Sequence, residues 1–462
     1  MDREKTVSQT IAEYALNMTI RDVPIEVIQH AKLLLLDTFG VAMACQKMDH
    51  ANAIKKAVVD MGSSEQCTLW GTDKKVQLAD AILYNACLIH GDDYDDTHVA
   101  SIVHPSASVV STAMAVGEYV GATGQEILEA IIMGWEVIIR LGLAAKGRFH
   151  DAGYHATGIV SPFACVCVAS KLMGYSKSVV VNALGICGSQ SAAIQEFLND
   201  GTGTKKMHPG WGGHSAIYAI AMAKAGFTGP KEVFEGRYGM WQTHFGVRDG
   251  FKEALDDFGK VYHTKDITFK MYPVCHMTHS FIDCIIKLKK ENYLIESEVK
   301  EIECRIEPRC FHIVCEPQEA KKRPVSEYMM KFSLPYVAAI AFIKERVSPW
   351  EIDEKLAASN EVTGMIDRVV CHSDETKSNP GYFPGYVKIT TYAGKVYEKT
   401  QLTELGTKEN PIEFEQVVKK FEDNLSVFYG DDQIKELTNA IRNIDNSKNN
   451  SEIISLLKPE WK

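Results

Sequence analysis

The residues best suited to proton-transfer chemistry are concentrated in one short stretch, from His90 to Ser106. It contains four aspartates, one threonine and three histidines, namely Asp92, Asp93, Asp95, Asp96, Thr97, His90, His98 and His104. Carboxylates and imidazoles accept and donate protons, so their concentration favours general acid–base catalysis. Two other interpretations are open on spacing alone. One is a solvated acidic loop, and the other is a metal site formed by Asp93, Asp95, His98 and His104.

Two apolar segments with helical periodicity flank this stretch. Leu78–Leu88 precedes it and Ser108–Val120 follows it. Pro105 suits the first turn of a helix, where a missing N–H costs nothing, and this places His104 at or near the N-cap. The unpaired N–H groups and positive dipole end there lower the pKa of a histidine and attract anions. The stretch is therefore predicted to be a loop between two buried helices.

Three further segments carry imidazole or ammonium groups: YHATG at Tyr154–Gly158, GTGTKKMHPG at Gly201–Gly210 and FKMYPVCHMTH at Phe269–His279. The second lacks the spacing of a P-loop. Its lysines and His208 suggest carboxylate recognition by point charges, just ahead of a helix predicted at His214. Cys275 beside His276, or with His279, would suit a thiol nucleophile, but adjacent side chains seldom point at one another and no acyl-transfer motif surrounds them.

These four motifs, in this order and spacing, resemble those of the MmgE/PrpD family, and the resemblance runs from about Leu33 to Phe332. The family includes 2-methylcitrate dehydratase, cis-aconitate decarboxylase and iminodisuccinate epimerase. The resemblance implies a cofactor-independent lyase acting at the carbon next to a carboxylate of a small di- or tricarboxylic acid. Dehydration of a 2-methylcitrate-like substrate is the first expectation, and decarboxylation or epimerisation of a related acid is the alternative. It also implies a homodimer.

The resemblance assigns the functional residues. The implied catalytic residues are Asp93, Thr97, His104, His155, Lys205 and Lys270, and the implied substrate-binding residues are Lys206, Cys275 and His276. His104 is the first choice for proton transfer, although His155 could carry the proton or merely cap its helix. Lys205 and Lys270 would stabilise the developing negative charge, and Asp93, positioned by Thr97, would assist at the leaving hydroxyl. No metal or other cofactor is implied.

Two departures from the family pattern bear on the reaction. Relatives that include the cis-aconitate decarboxylases have histidine where this chain has Cys275, and no tyrosine lies in Cys315–Ala320, where a decarboxylase tyrosine is sought. Both departures count against decarboxylation. A catalytically degenerate homologue, serving as a binding or scaffold protein, is the non-enzyme alternative. Retention of all six implied catalytic residues counts against it.

Composition excludes other classes of function. A net charge of −10 argues against nucleic acid, which requires a basic face. The 12 cysteines form no CxxC pair and the N-terminus has no secretory leader, so we expect buried free thiols in a cytoplasmic protein. The most apolar run, Ile127–Ala145, is interrupted by Glu129, Glu136 and Arg140. It is expected to be a core helix and not a membrane span.

The periodicity predicts a mainly α fold with two domains. Helical patterns dominate from Leu78 to Ala225, whereas Val299–Ile306 alternates with period two and 386–391 with 395–400 forms a predicted hairpin. Helical patterns return after Pro411. We therefore expect a large all-helical domain, residues 1–266 with 405–462 packing back onto it, and a smaller α+β lid domain, residues 267–404.

Overall fold

The computed structural model describes residues 5–62, 64–248, 250–377 and 382–459. The chain divides into two compact units. The first comprises the chain up to Gly91, Asp95–Ile267 and the chain from Glu413 onward. The second comprises Thr268–Ile412 together with the tripeptide Asp92–Tyr94. The predicted domain boundaries lay at 266/267 and 404/405, whereas the units divide at 267/268 and 412/413.

The first unit is built almost entirely of helices. In chain order they are α1 (Val7–Asn17), α2 (Ile25–Ala44), α3 (Asp49–Met61), α4 (Leu78–Ile89), α5 (Pro105–Val120), α6 (Gly124–Ala145), α7 (Arg148–Asp151), α8 (Ala156–Leu172), α9 (Lys177–Cys187), α10 (Phe197–Asp200), α11 (Thr204–Lys224), α12 (Met240–Phe245) and α13 (Lys252–Leu255). Between α3 and α4, β1 (Cys67–Thr68) and β2 (Lys75–Val76) form a short antiparallel ladder. The expectation of an all-helical domain did not include this ladder.

The second unit is smaller and mixes helices with one sheet. Its elements are α14 (His279–Asn292), β3 (Val299–Ile306), α15 (Pro308–Val314), α16 (Gln318–Lys322), α17 (Glu327–Lys331), α18 (Leu334–Lys344), α19 (Glu354–Ala357), α20 (Asn360–Ile366), β4 (Val369–Ser373), β5 (Gly385–Thr391) and β6 (Val396–Gln401). The strand order is β4-β3-β5-β6, with β3 parallel to β4 and the other pairs antiparallel. The predicted strand and hairpin are confirmed. The short strand β4 was not predicted. Its first residue, Val369, is buried and its last two residues are exposed.

Three further helices return to the first unit, α21 (Phe414–Leu425), α22 (Asp431–Arg442) and α23 (Ser451–Leu456). The mainly α fold with a smaller α+β part is therefore confirmed. One segment, Ile25–Lys47, is long and apolar enough to cross a membrane by length and composition, and 72% of its most apolar window is buried inside the structure. The core helix of a soluble protein passes the same test.

Helix α11 begins at Thr204, ten residues before the helix start predicted at His214. The predicted start was wrong because the glycines and Pro209 lie inside the helix and do not end it. Proline costs one backbone hydrogen bond, and the glycines serve close packing. A Cβ at Gly210 would lie 2.5 Å from the carbonyl oxygen of Leu83 in α4, and one at Gly212 would lie 2.6 Å from Ser161 in α8. The basic segment is thus the first turns of a tightly packed helix.

Gly210→Ala is expected to destabilise the protein by about 1–3 kcal/mol, because the added methyl group meets backbone atoms that cannot move independently. Gly203→Ala is the matched control, because a Cβ at Gly203 would meet no atom within 4 Å. Urea unfolding of the two variants and the wild type measures the difference. Equal midpoints for Gly210→Ala and Gly203→Ala would show that α11 does not need the close approach to α4.

Candidate active site

The loop that carries the aspartates joins α4 to α5, as predicted. His104 is the N-cap residue of α5 and Pro105 follows at its first position. The solvated-loop interpretation is wrong, because Asp92, Asp95 and Asp96 are each only 1% exposed. Burying three carboxylates in one loop requires a specific partner for each of them.

Asp96 caps α5 from across the loop. One of its carboxylate oxygens accepts a hydrogen bond from the backbone N–H of Ser106 at 3.2 Å, and the other accepts from the Ser106 hydroxyl. Burial raises the pKa of Asp96 well above its usual value, and the bonds from Ser106 oppose that shift. Asp96 accepts hydrogen bonds from the first turn of α5, and the side chain of His104 makes no capping hydrogen bond.

His104 is held through Nδ1. This nitrogen lies 3.0 Å from the backbone carbonyl oxygen of Asp96 and 3.2 Å from the hydroxyl oxygen of Thr97. A carbonyl oxygen can only accept, so Nδ1 carries the hydrogen and the neutral ring has its lone pair on Nε2. The backbone N–H of His104 donates to the Thr157 hydroxyl at 3.0 Å. The ring is therefore oriented as a proton acceptor through Nε2.

Asp95 lies between two imidazoles. Its Oδ2 accepts a hydrogen bond from His90 Nδ1 at 2.8 Å, and its Oδ1 lies 3.6 Å from His104 Nδ1. A carboxylate in this position stabilises positive charge on either ring. Asp95 is therefore suited to support an imidazolium that forms when a neighbouring ring takes up a proton.

Four imidazole rings form a contiguous group, which we call the histidine cluster: His90, His104, His155 and His208. Ring centroids are 4.9 Å apart for His90 and His104, 5.5 Å for His90 and His155, and 5.3 Å for His155 and His208. The Nδ1 atoms of His155 and His208 are 3.1 Å apart, so one ring donates to the other. His155 precedes α8 and His208 lies in α11, so three segments converge here.

Two rings of the cluster, His155 and His208, have lowered pKa values that favour the neutral form. Burial, then the charge of Lys205 and the neighbouring rings, lowers the pKa of His155 well below its usual value. Burial, His90 and Lys205 lower the pKa of His208 to about 4. Among the described residues, Nε2 of His90 and Nε2 of His155 are buried and have no hydrogen-bond partner. Such atoms are rare in protein interiors, and a catalytic role or a bound water or ion can account for them.

The two adjacent lysines of α11 have different surroundings. Lys205 acts electrostatically on His150, His155 and His208, lowering the pKa of each. Lys206 places its Nζ 3.3 Å from Nδ1 of His50. The structure thus brings Lys205 together with the histidine cluster and directs Lys206 to a different histidine.

The remaining predicted residues belong to the second unit. Lys270 Nζ lies 3.1 Å from a carboxylate oxygen of Asp93 and donates to its carbonyl oxygen at 2.8 Å. Lys331 pairs with the Asp92 carboxylate, and the Tyr94 hydroxyl donates to a backbone carbonyl at 3.3 Å. Each residue of the tripeptide Asp92–Tyr94 is therefore anchored within that unit. Asp93 adopts a left-handed backbone conformation with φ of 51°, which aspartate tolerates better than most residues.

His276 and Cys275 lie buried in the same unit. Burial lowers the pKa of His276 to about 3, Lys270 adds to the shift and Asp93 opposes it. The hydroxyl of Tyr328 is buried and has no hydrogen-bond partner among the described residues. Burial, Asp93 and Cys275 raise the pKa of Tyr328. A tyrosine thus lies near Asp93 and Cys275, eight residues beyond the segment in which none was found.

Two groups in the described part of the chain bring potential metal ligands within 4.8 Å of one another. One contains His90, Asp95 and His104, and the other contains His98, His263 and Asp266. The predicted alternative ligand set is therefore divided, with Asp95 and His104 in the first group and His98 in the second. In the first group His90 donates to Asp95 through Nδ1, and Nδ1 of His104 lies 3.6 Å from the same carboxylate, an arrangement that also suits a proton relay.

Several residues of these groups were not among the predicted site residues. His90 and Asp95 lie in the stretch that composition singled out, but nothing local shows which aspartate faces which imidazole. His208 was noted only as part of a basic segment, and its helical position in α11 was not predicted. No sequence pattern marked Tyr328.

Comparison with known proteins identifies relatives over nearly the whole chain. The MmgE/PrpD N-terminal domain model matches residues 9–250, and the MmgE/PrpD C-terminal domain model matches residues 272–446. A cis-aconitate decarboxylase of Aspergillus terreus is 23% identical over 474 residues, covering 98% of this chain and 96% of the relative. The human cis-aconitate decarboxylase is 24% identical over 472 residues, covering 98% and 95%. A 2-methylcitrate dehydratase of Salmonella typhi is 20% identical over 369 residues, covering 74% and 73%.

The lowered histidine pKa values predict acid sensitivity. His208 titrates at about 4 in the folded state and near 6.5 when unfolded, so the unfolded chain binds more protons between these values. The contribution of His208 to the free energy of unfolding is therefore complete above about pH 6.5 and is lost as the pH falls toward 4. His208→Gln removes this contribution, so its stability should fall less steeply over that window.

The measurement is urea unfolding of His208→Gln and wild type at several pH values between about 4 and 7. His312→Gln is the control, because His312 is an exposed histidine with a side chain 68% accessible. It should retain the wild-type slope. A His208→Gln slope equal to that of the wild type would contradict a buried neutral His208.

Proposed function

Because the chain belongs to the MmgE/PrpD family, we propose that it is a cofactor-independent lyase acting on a small di- or tricarboxylic acid. The reaction occurs at the carbon next to a carboxylate. The observation that carries this proposal is the histidine cluster. Burial and then Lys205 lower the pKa of His155 in this cluster, and Nε2 of His155 has no hydrogen-bond partner among the described residues. Relatives named as lyases support the reaction class.

His104 exchanges the substrate proton in this proposal. Its Nδ1–H is held by the Asp96 carbonyl and Thr97, so Nε2 is the atom that accepts the proton. Asp95 then stabilises the imidazolium through its Oδ1. A base fixed by hydrogen bonds before the substrate arrives needs no reorganisation during the reaction. Thr97 therefore acts as a positioning residue for His104.

Lys205 supplies positive charge for the substrate. Removal of a proton next to a carboxylate spreads negative charge onto that carboxylate, and a fixed ammonium group stabilises it. The nearby rings of His155 and His208, kept neutral by burial and by Lys205, donate or accept hydrogen bonds without adding charge. An acidic protein that concentrates positive potential at one place favours a small polycarboxylate.

Asp93 and Lys270, with Cys275 and His276, complete the proposed functional residues. Asp93 assists at the leaving hydroxyl and Lys270 stabilises negative charge, roles that follow from the matching motif positions. Lys206 is proposed as a further substrate-binding charge. Tyr328 joins the residues worth testing, because its buried hydroxyl has no hydrogen-bond partner among the described residues. The expected homodimer and cytoplasmic location also belong to this proposal.

Dehydration of a 2-methylcitrate-like acid is the first candidate reaction, because Cys275 stands where the cis-aconitate decarboxylases have histidine. Decarboxylation of cis-aconitate is the second candidate. The relatives named as cis-aconitate decarboxylases match 98% of this chain, whereas those named as 2-methylcitrate dehydratases match 74%. The two reactions share proton transfer at the same kind of carbon and differ in the group that leaves.

His104→Gln tests the proposal with four substrates: 2-methylcitrate, citrate, cis-aconitate and iminodisuccinate. Wild-type protein is expected to convert one of them, and NMR identifies the product. His104→Gln should lower kcat by about 10²–10⁴-fold, because glutamine keeps hydrogen-bonding capacity but cannot take up a proton near neutral pH. His312→Gln should retain wild-type kcat, since His312 is exposed and is not one of the proposed functional residues.

Each outcome decides a specific point. Loss of carbon dioxide from cis-aconitate would identify the second candidate, and loss of water from 2-methylcitrate the first. A folded His104→Gln protein with wild-type kcat would contradict the role of His104 and transfer proton exchange to His155. Wild-type protein that converts none of the four acids would contradict the proposed substrate class.

A further inference from the structure

A second group of potential ligands lies outside the histidine cluster. It consists of His98, His263 and Asp266, whose ligand atoms all lie within 4.8 Å of one another. His98 belongs to the loop between α4 and α5, whereas His263 and Asp266 form the ends of a 3₁₀ helix, His263–Asp266. Residues three apart eclipse one another on a 3₁₀ helix, so these two side chains share one side.

The geometry suits a small divalent cation. The rings of His98 and His263 are 5.8 Å apart in an edge-to-face arrangement, and His263 Nδ1 lies 3.6 Å from a carboxylate oxygen of Asp266. Tetrahedral Zn²⁺ with bonds of about 2.0–2.1 Å separates its ligand atoms by roughly 3.3 Å. The ligand atoms are at most 4.8 Å apart, so they would have to approach one another by about 1.5 Å or less. Rotation of the side chains can produce this movement.

Ser101 holds the ring of His98 through Nδ1. The backbone N–H of Ser101 donates to Nδ1 at 3.2 Å, and the Ser101 hydroxyl oxygen lies 2.8 Å from the same nitrogen. The hydroxyl also donates to the His98 carbonyl oxygen at 3.2 Å. The ring is therefore held in a fixed orientation.

The 3₁₀ helix that carries His263 and Asp266 is hydrogen-bonded to α6, and both side chains are partly exposed to solvent. The backbone N–H and the hydroxyl of Thr264 both donate at 2.8 Å to the buried carboxylate of Glu136 in α6. Side-chain exposure is 21% for His263 and 32% for Asp266, so an ion can reach them.

We propose that His98, His263 and Asp266 form a binding site for a Zn²⁺-class transition-metal ion, completed by water. Two imidazoles and one carboxylate favour such ions over Ca²⁺ or Mg²⁺, which prefer all-oxygen coordination. The bound ion links the residue next to Thr97 to the 3₁₀ helix held by α6. Its role is to stabilise this loop and not to take part in proton transfer, so the site is independent of the proposed lyase activity.

Binding of Zn²⁺ and Co²⁺ to tag-free, chelator-treated protein tests the site without any substrate. Calorimetry should show Zn²⁺ binding, and Co²⁺ should give the visible absorption of a tetrahedral site. His263→Ala should have one site fewer, or bind about 100-fold more weakly, since loss of even an outer contact costs roughly 10–100-fold. Asp266→Asn should also weaken binding, and Zn²⁺ should raise the melting temperature of wild type more than that of either variant.

His312→Ala is the matched control, because it removes an exposed histidine that pairs with a carboxylate four residues away. It should bind Zn²⁺ like the wild type. The proposal is overturned if wild-type protein binds no Zn²⁺, or if His263→Ala binds it with wild-type stoichiometry and affinity. Chelator-treated protein that still turns over substrate leaves the lyase proposal intact. A lyase that fails on every acid leaves the metal measurement unaffected.

Discussion

Four carboxylates within five residues impose the constraint on which the site depends, because buried charges need individual partners. The structure provides a different solution for each. Asp92 pairs with Lys331 and Asp93 with Lys270, and both lysines belong to the second unit. Asp95 faces the imidazoles of His90 and His104. Asp96 accepts a hydrogen bond from Ser106 at the N-terminus of α5. This division leaves one carboxylate, Asp95, to face the rings that can transfer a proton.

The surroundings of Asp95 explain why the rings can be both buried and reactive. A second buried pair, Lys420 of α21 with Asp37 of α2 at 2.6 Å, interacts electrostatically with Asp95 and Asp96. Burial, with the charge of Lys205 added to it, disfavours protonation of His155 and His208. In the proposed mechanism the extra proton is held on the ring that Asp95 supports, as proton exchange with an anionic substrate requires.

How far the sequence predicts this arrangement depends on the range of the interactions. Local rules suffice for His104 at the N-cap, since Pro105 and the apolar period of α5 act within one turn, and for β3, whose alternation spans eight residues. They fail for α11, where glycines serve contact with α4 and not helix termination. They also cannot reveal that Asp37 meets Lys420 or that Lys331 meets Asp92, because those partners are hundreds of residues apart.

The central claim is that the histidine cluster exchanges a proton with the carbon next to a substrate carboxylate. It is tested most directly by incubating wild-type protein in D₂O with 2-methylcitrate, citrate or cis-aconitate and recording NMR spectra. The claim predicts deuterium at that carbon, or in the product derived from it, and slower incorporation with Asp95→Asn, which cannot support an imidazolium. Absence of deuterium from every acid and product, with folded wild-type protein, would contradict it.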